Sequence, residues 1–214
     1  MNPEKDEPDI VLKIVVVGES GVGKSNIVTR YVNDTFNANS MSTIGVDLLS
    51  RRLLIDNVNL LIQLWDTAGQ ERMRALSSSF YKNAKGVMLI YDITSKESFA
   101  RLKFWLKELR KSTDEKVKVT VVGNKTDLLA QREVSEEEAK LFAGERGFYY
   151  MEVSAKTNEG GCVNLAVETL VREIIREMKK EDFDSLKKEA ELKLSTLKEV
   201  QTARMIVGDK KGCC

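Results

Sequence analysis

Histidine is missing from the chain altogether. That removes the commonest general base, and with it the serine and cysteine triads that depend on an imidazole. Cysteine is scarce and lopsided: Cys162, Cys213 and Cys214 make neither a disulfide framework nor the spaced pairs of a zinc site. No apolar run approaches the length of a membrane-spanning helix. Met1-Asn2-Pro3-Glu4-Lys5-Asp6 also lacks the basic-then-apolar order of a secretory signal, so the chain is expected in the cytosol. Neither charge sign dominates: 34 Lys+Arg against 33 Asp+Glu leave a net +1, which argues against a protein that coats nucleic acid. Both prolines fall in the first nine residues, which are polar and read as a flexible lead. What remains, 214 residues of which 42% are hydrophobic, suffices for one packed domain plus a tail.

The stretch around which the rest is organised is Gly18-Glu19-Ser20-Gly21-Val22-Gly23-Lys24-Ser25. It follows the apolar run Ile10 to Val17 and opens into Asn26-Ile27-Val28-Thr29-Arg30. Strand, glycine turn and helix in this order form a phosphate cradle, with backbone N–H groups and the positive end of the helix facing one anion. The expected ligand contacts are Ser20, Gly21, Val22, Gly23, Lys24, Ser25 and Asn26. Lys24 reaches the β- and γ-phosphates and the Ser25 hydroxyl holds Mg²⁺. A bare glycine turn is the alternative, but it needs no Lys-Ser pair.

Ile10 to Val17 reads as a strand buried on both faces. Asn33 to Ser42 is polar and turn-prone and reads as a mobile loop, a common place for function. Val46 to Ile55 and Leu60 to Trp65 flank Asp56 to Asn59 as a hairpin with an antiparallel edge strand. Gly86 to Tyr91 and Val117 to Val122 repeat the buried-strand pattern. Phe99, Leu102, Trp105, Leu106 and Leu109 line one face of a helix over Ser98 to Leu109. Ser135-Glu136-Glu137-Glu138 opens a helix as a capping box, Phe148 to Val153 is a last strand, and a final helix spans 161 to 179 or 180. The fold class is α/β: a mostly parallel six-stranded sheet with one antiparallel edge strand and helices on both faces. The expected divisions are a lead over 1–9, one domain over 10–180 and a tether over 181–214. In such sheets ligands bind beyond the carboxyl ends of the strands, where every motif named here sits.

Asp66, at a strand end, suits a carboxylate holding the Mg²⁺ shell, a solvated strand-end Asp being the alternative. Gly69 lets its N–H approach a γ-phosphate, and Gln70 is the catalytic candidate, orienting an attacking water. Asn124, Lys125 and Asp127 mark a base pocket. Guanine presents N1–H and the 2-amino group side by side, and one carboxylate accepts both. Adenine has neither donor there, so Asp127 predicts guanine specificity. Ser154-Ala155-Lys156 completes the pocket: the Ala155 N–H donates to guanine O6, while Lys125 and Lys156 pack along base and ribose. A simple turn after a strand is the competing reading of residues 124–127 taken alone.

These motifs, with Thr43 in Ser42-Thr43-Ile44-Gly45 and Trp65-Asp66-Thr67-Ala68-Gly69-Gln70-Glu71, stand in the order and spacing of the Ras-like small GTPases. The resemblance covers about residues 10–180. Ile44-Gly45-Val46-Asp47, Arg72-Met73-Arg74-Ala75-Leu76 and Ser77-Ser78-Ser79-Phe80-Tyr81 resemble the Rab branch in particular. That resemblance implies a GTP- and GDP-binding, Mg²⁺-dependent switch in vesicle traffic. Thr43 would meet Mg²⁺ and the γ-phosphate, and Phe36 would stack edge-on against guanine or, read alone, pin its loop to the core. Leu48, Trp65 and Phe80 would form the trio that effectors read, with Ile44 beside it; otherwise they are core. Leu48 and Met73 stand where the branch usually has aromatics, which bears on effector choice.

The resemblance further implies slow intrinsic hydrolysis, an exchange factor, an activating protein, a prenylation escort and a GDP-dissociation inhibitor, acting on a monomer that binds no nucleic acid. Cys213 and Cys214 resemble the signal for two geranylgeranyl groups, which would anchor the chain stably to the cytoplasmic face of an intracellular membrane between passages through the cytosol. The 181–214 stretch mixes charges of both signs and reads as a tether, although Leu186, Ala190, Leu194, Leu197 and Val200 would share one helical face. Two other classes stay open: a nucleotide-locked adaptor without turnover, and a P-loop ATP enzyme, against which Asp127 speaks.

Overall fold

Runs of β-branched and apolar residues supply the parallel strands at the middle of the sheet. The computed structural model describes residues 7–38, 45–67, 80–114 and 116–178. The strands are β1 (Ile10–Val17), β2 (Val46–Ile55), β3 (Val58–Thr67), β4 (Gly86–Asp92), β5 (Lys118–Asn124) and β6 (Tyr149–Glu152). Their order is β2-β3-β1-β4-β5-β6. β4 is parallel to β1 and β5, and β6 to β5, with Val15 opposite Val87, Leu89 opposite Val121 and Val122 opposite Met151. The helices among the described residues are α1 (Lys24–Asn33), α2 (Lys96–Ala100), α3 (Leu102–Arg110), α4 (Glu136–Gly144) and α5 (Cys162–Glu177). The chain is thus the α/β sheet with an antiparallel edge strand that its sequence predicts.

Two units divide the described residues: a smaller one of 7–11, 52–61 and Met178, and a larger one holding the rest. In the smaller, β2 turns into β3 through Asp56 and Asn57, both with positive φ (50° and 64°). Such a pair matches the twist of the strands in a two-residue hairpin, so β3 starts at Val58 rather than at Leu60. The flexible lead expected over 1–9 is corrected at its far end. Asp9 N–H donates to Asn59 O at 2.7 Å, Asn59 N–H donates to Asp9 Oδ2 at 2.9 Å, and Asn59 Nδ2 donates to Glu7 O at 3.1 Å. These bonds hold residues 7–9, and Pro8 is buried.

In the larger unit, alternation along β4 assigns its two faces. Val87, Leu89 and Tyr91 join Val15, Val17, Leu102, Trp105, Leu109 and Phe142 in one core cluster. On the other face Gly86 lies against Leu170 and Ile174 of α5, so close that a Cβ would meet Ile174 Cδ1 at 2.8 Å. The single helix expected over Ser98 to Leu109 is split at Arg101. There the backbone stays helical (φ −71°, ψ −13°), but the Phe104 N–H and the Trp105 N–H both turn to Arg101 O. Residues 1–6 and 179–214 lie outside the described residues, and with them the expected tether, Cys213 and Cys214.

Candidate nucleotide site

The loop after β1 is shaped by backbone conformations that side chains resist. Gly23 has φ 94°, and a Cβ there would run into the Asn124 amide nitrogen; one at Gly18 would run into the Ile90 carbonyl. Gly23 also begins α1 with no side chain accepting from the first turn, and that turn holds no acidic residue. α4 is the contrast: Ser135 caps it and Glu136, Glu137 and Glu138 occupy its first turn. A helix end left without its own anion suits an external one.

Lys24 is buried, and its Nζ donates to Gly18 O at 3.0 Å and Glu19 O at 2.8 Å, curling the loop around the ammonium. Burial lowers its pKa to about 8, against the opposing pull of the Asp66 and Glu19 carboxylates. Asp66, the last residue but one of β3, is only 2% exposed, while Thr67 donates to Val16 O at 2.8 Å and so fixes that strand end beside β1. Ser25 and Asp66 offer oxygen donors alone. Among the described residues no group of three or more His, Cys, Asp and Glu gathers to cage a metal. Hydroxyl and carboxylate oxygens are hard donors of the kind Mg²⁺ takes beside waters and phosphate oxygens.

The residues expected from the sequence to read a base are linked to the same loop through Asn124. Asn124, at the end of β5, donates through Nδ2 to Val22 O at 2.8 Å and accepts at Oδ1 from the Ala155 N–H at 3.2 Å. One buried amide thereby joins the phosphate loop to the 154–156 turn. Ser154 Oγ donates to Asp127 Oδ1 at 2.7 Å and accepts from the Thr157 N–H, which aims the carboxylate and closes the turn. Lys156 Nζ stands 3.7 Å from Asp127 Oδ2. Lys125 is left-handed at φ 72°, and its ammonium pairs with Asp92 Oδ2 at 2.6 Å. A strained non-glycine residue at a strand end is held only where its surroundings fix it. The Ala155 N–H assigned from sequence to guanine O6 is here turned to Asn124.

Asn26 does more than follow the cradle. Its side chain exchanges two hydrogen bonds with the Asn37 backbone, at 3.2 and 3.1 Å, drawing the chain beyond α1 toward the helix start, with half-buried Phe36 next to it. Trp65 and Phe80 rings lie 6.3 Å apart, and Lys13 Nζ sits 4.0 Å over Trp65. Counting out from the two-residue turn sets Leu48, 50% exposed, opposite Trp65 on the outer face of the hairpin. Thr43, Ile44, Gly69 and Gln70 lie outside the described residues.

Several contributors carry no motif. Arg30 donates through Nε to Ala155 O at 2.9 Å and through NH2 to Lys156 O at 3.1 Å, bracing the base turn from α1. Glu19 Oε1 accepts from Arg101 Nε and Trp105 Nε1, both at 3.0 Å, tying the phosphate loop to α3. The pairs are 82 to 126 residues apart in sequence, so no local pattern marks them.

Residues 13–180 match the family model described as the Ras family. The GTP-binding protein ypt3 of Schizosaccharomyces pombe is 46% identical over 173 residues, which span 81% of this chain and 80% of its own. Ras-related protein RABA4a of Arabidopsis thaliana is 43% identical over 177 residues, 82% of this chain and 76% of its own. Ras-related protein Rab-25 of Homo sapiens is 37% identical over 214 residues, 100% of this chain and 98% of its own.

Proposed function

The chain belongs to the Ras family and within it to the Rab branch, and on that premise we propose that it is a switch of vesicle traffic set by the γ-phosphate of GTP. As a GTPase it converts GTP to GDP and phosphate. In our reading the cradle from Ser20 to Asn26 takes the phosphates and Lys24 leaves its carbonyl partners for the β- and γ-oxygens. Ser25, Asp66 and Thr43 would hold Mg²⁺, which when bound offsets the charge that builds on those oxygens. Gln70 orients the water, Gly69 meets the γ-phosphate, and loss of that phosphate releases the segments around Thr43 and Gln70. No arginine of this chain is assigned as a finger. Turnover is therefore expected to be slow, an activating protein contributing a factor of ~10³ to 10⁵.

The GTP form would recruit effectors through Ile44, Leu48, Trp65 and Phe80. An exchange factor, a prenylation escort and a GDP-dissociation inhibitor are proposed from the family. Cys213 and Cys214 would carry the geranylgeranyl groups that hold the chain to the cytoplasmic face of an intracellular membrane.

The observation that supports guanine most directly is the cluster in which Ser154 aims Asp127 while Asn124 bridges Val22 and Ala155. Labelled GDP is expected to be displaced by GTP and GDP but not by ATP. Asp127→Asn replaces an acceptor by a donor at the edge that meets the 2-position. It is expected to weaken GDP by at least about tenfold and to favour XDP, whose 2-oxygen accepts. Displacement by ATP, or an unchanged preference in the variant, would refute the assignment.

A further inference from the structure

Behind the base-reading turns lies a set of polar groups that the phosphate and base contacts do not use. The short 3₁₀ segment Thr126–Gln131, which carries Asp127, ends at Arg132. β6 delivers Glu152 two residues before Ser154. The two meet as a fork: Arg132 NH1 donates to Glu152 Oε1 at 2.7 Å and NH2 to Oε2 at 2.6 Å. Their side chains are only 22% and 15% exposed. Arg132 NH1 also donates to Val134 O at 3.0 Å.

Tyr150 OH donates to the same Glu152 Oε1 at 2.5 Å, and Tyr91 OH stands 3.0 Å from Tyr150 OH. A carboxylate only accepts, so the phenolic proton of Tyr150 is committed to Glu152 and Tyr91 must donate to Tyr150. Donors from β6 and from the end of the 126–131 segment therefore converge on one carboxylate, with Tyr91 of β4 backing the tyrosine. Burial pushes the Tyr150 hydroxyl far above its ordinary range and that of Tyr91 to about 12, so both keep their protons near neutrality. Burial alone would raise the Glu152 pKa, but the bonds from Arg132 and Tyr150 outweigh it and leave the group below its usual value. Gly123 makes room, since a Cβ there would meet Tyr91 OH at 2.8 Å, and Phe99 packs edge-on against Tyr91 with ring centroids 5.0 Å apart.

The near ends of the two base-reading turns are joined by Ser154 and Asp127, and their far ends by Glu152 and Arg132. We propose that Arg132, Glu152 and Tyr150, backed by Tyr91, are positioning residues that hold the Asp127 carboxylate at a fixed distance from the 154–156 turn. They thereby set how sharply the site reads the guanine 2-amino group and how slowly the nucleotide leaves. This rests on the reading that Asp127 accepts from that amino group. A bidentate fork fixes both spacing and plane, which a lone ammonium does not. Small displacements of a recognition group are costly.

The test compares GDP with IDP, whose base lacks the 2-amino group, by equilibrium affinity and by dissociation of fluorescent GDP. The proteins are the full chain, Arg132→Lys, Tyr150→Phe, and a double Arg132→Met, Glu152→Leu replacement that avoids leaving one buried charge alone. Cooperative melting of each GDP complex checks the fold. The unaltered chain is expected to prefer GDP; equal affinities would overturn the Asp127 reading itself, whatever the variants do. Given that preference, Arg132→Lys and the double replacement are expected to shrink the GDP-to-IDP ratio at least about threefold and to speed GDP release at least about fivefold. Tyr150→Phe is expected to fall between. Folded variants that weaken GDP and IDP by the same factor, leaving the ratio intact, would overturn the proposal and make the fork a stability element only.

Discussion

Lys24 illustrates how one buried residue makes the fold of the candidate phosphate loop depend on pH. Its ammonium is stripped of water and satisfied by two loop carbonyls, so it gives up its proton near pH 8 instead of 10.5. Between those values the unfolded chain holds the extra proton, and the nucleotide-free fold gains stability as pH rises through that window, by up to roughly 3 kcal/mol. Below pH 8 both states are charged and the burial cost is fully felt. Lys24→Met is expected to lack this rise, which denaturant melts of stripped protein at pH 7.5 and 10 would show; an equal rise in the variant would refute the assignment. The lysine was legible in the sequence because the GKS spacing names it. Arg30, which braces the same site through two backbone carbonyls of the base turn, was not, because nothing around position 30 announces a partner more than a hundred residues away.

Element by element, the helix starts divide into two kinds. α4 supplies its own cap and its own negative first turn, while α1 supplies neither. Ser135 Oγ accepts from the Glu138 N–H at 3.1 Å. Ser135→Ala is therefore expected to cost about 1 kcal/mol, read as a lower urea midpoint with GDP release unchanged. A variant with the same midpoint would show that the cap carries no stability. Both helix starts were readable beforehand, since capping residues and glycine loops act within four residues of themselves. The break at Arg101 was not. The apolar spacing from Phe99 to Leu109 is continuous, while the contacts that accompany the change of turn, Glu19 with Arg101 and Trp105 and the Arg101 guanidinium over the Phe104 ring, leave no mark in it. The sequence shows the hairpin but with a turn two residues too long, because Asn59 extends the polar pair Asp56-Asn57 across Val58, and only their paired positive φ marks the turn as two residues.

For the molecule as a whole, the strand order brings four stretches among the described residues, 18–25, 66–67, 124–127 and 154–156, to the carboxyl ends of strands in one sheet. The sheet was legible because parallel strands buried on both faces leave near-continuous apolar runs. The phosphate loop and the stretches at Asp66, Asn124 and Ser154 are legible because each lies at the end of such a run. The braces between motifs were not, being matters of which strand ends become neighbours. At this scale the membrane reading also has its test. Replacing Cys213 and Cys214 with serine is expected to move the protein from the membrane to the soluble fraction of a cell lysate, with GDP affinity unchanged; persistent membrane association would refute the lipid anchor. Finally, the indole of Trp105 rests on Glu19, the second residue of the phosphate loop. An aromatic chromophore hydrogen-bonded to the loop that grips the ligand is a built-in optical gauge. Its emission is expected to change when GDP is added to or stripped from the protein, a readout that needs no attached dye.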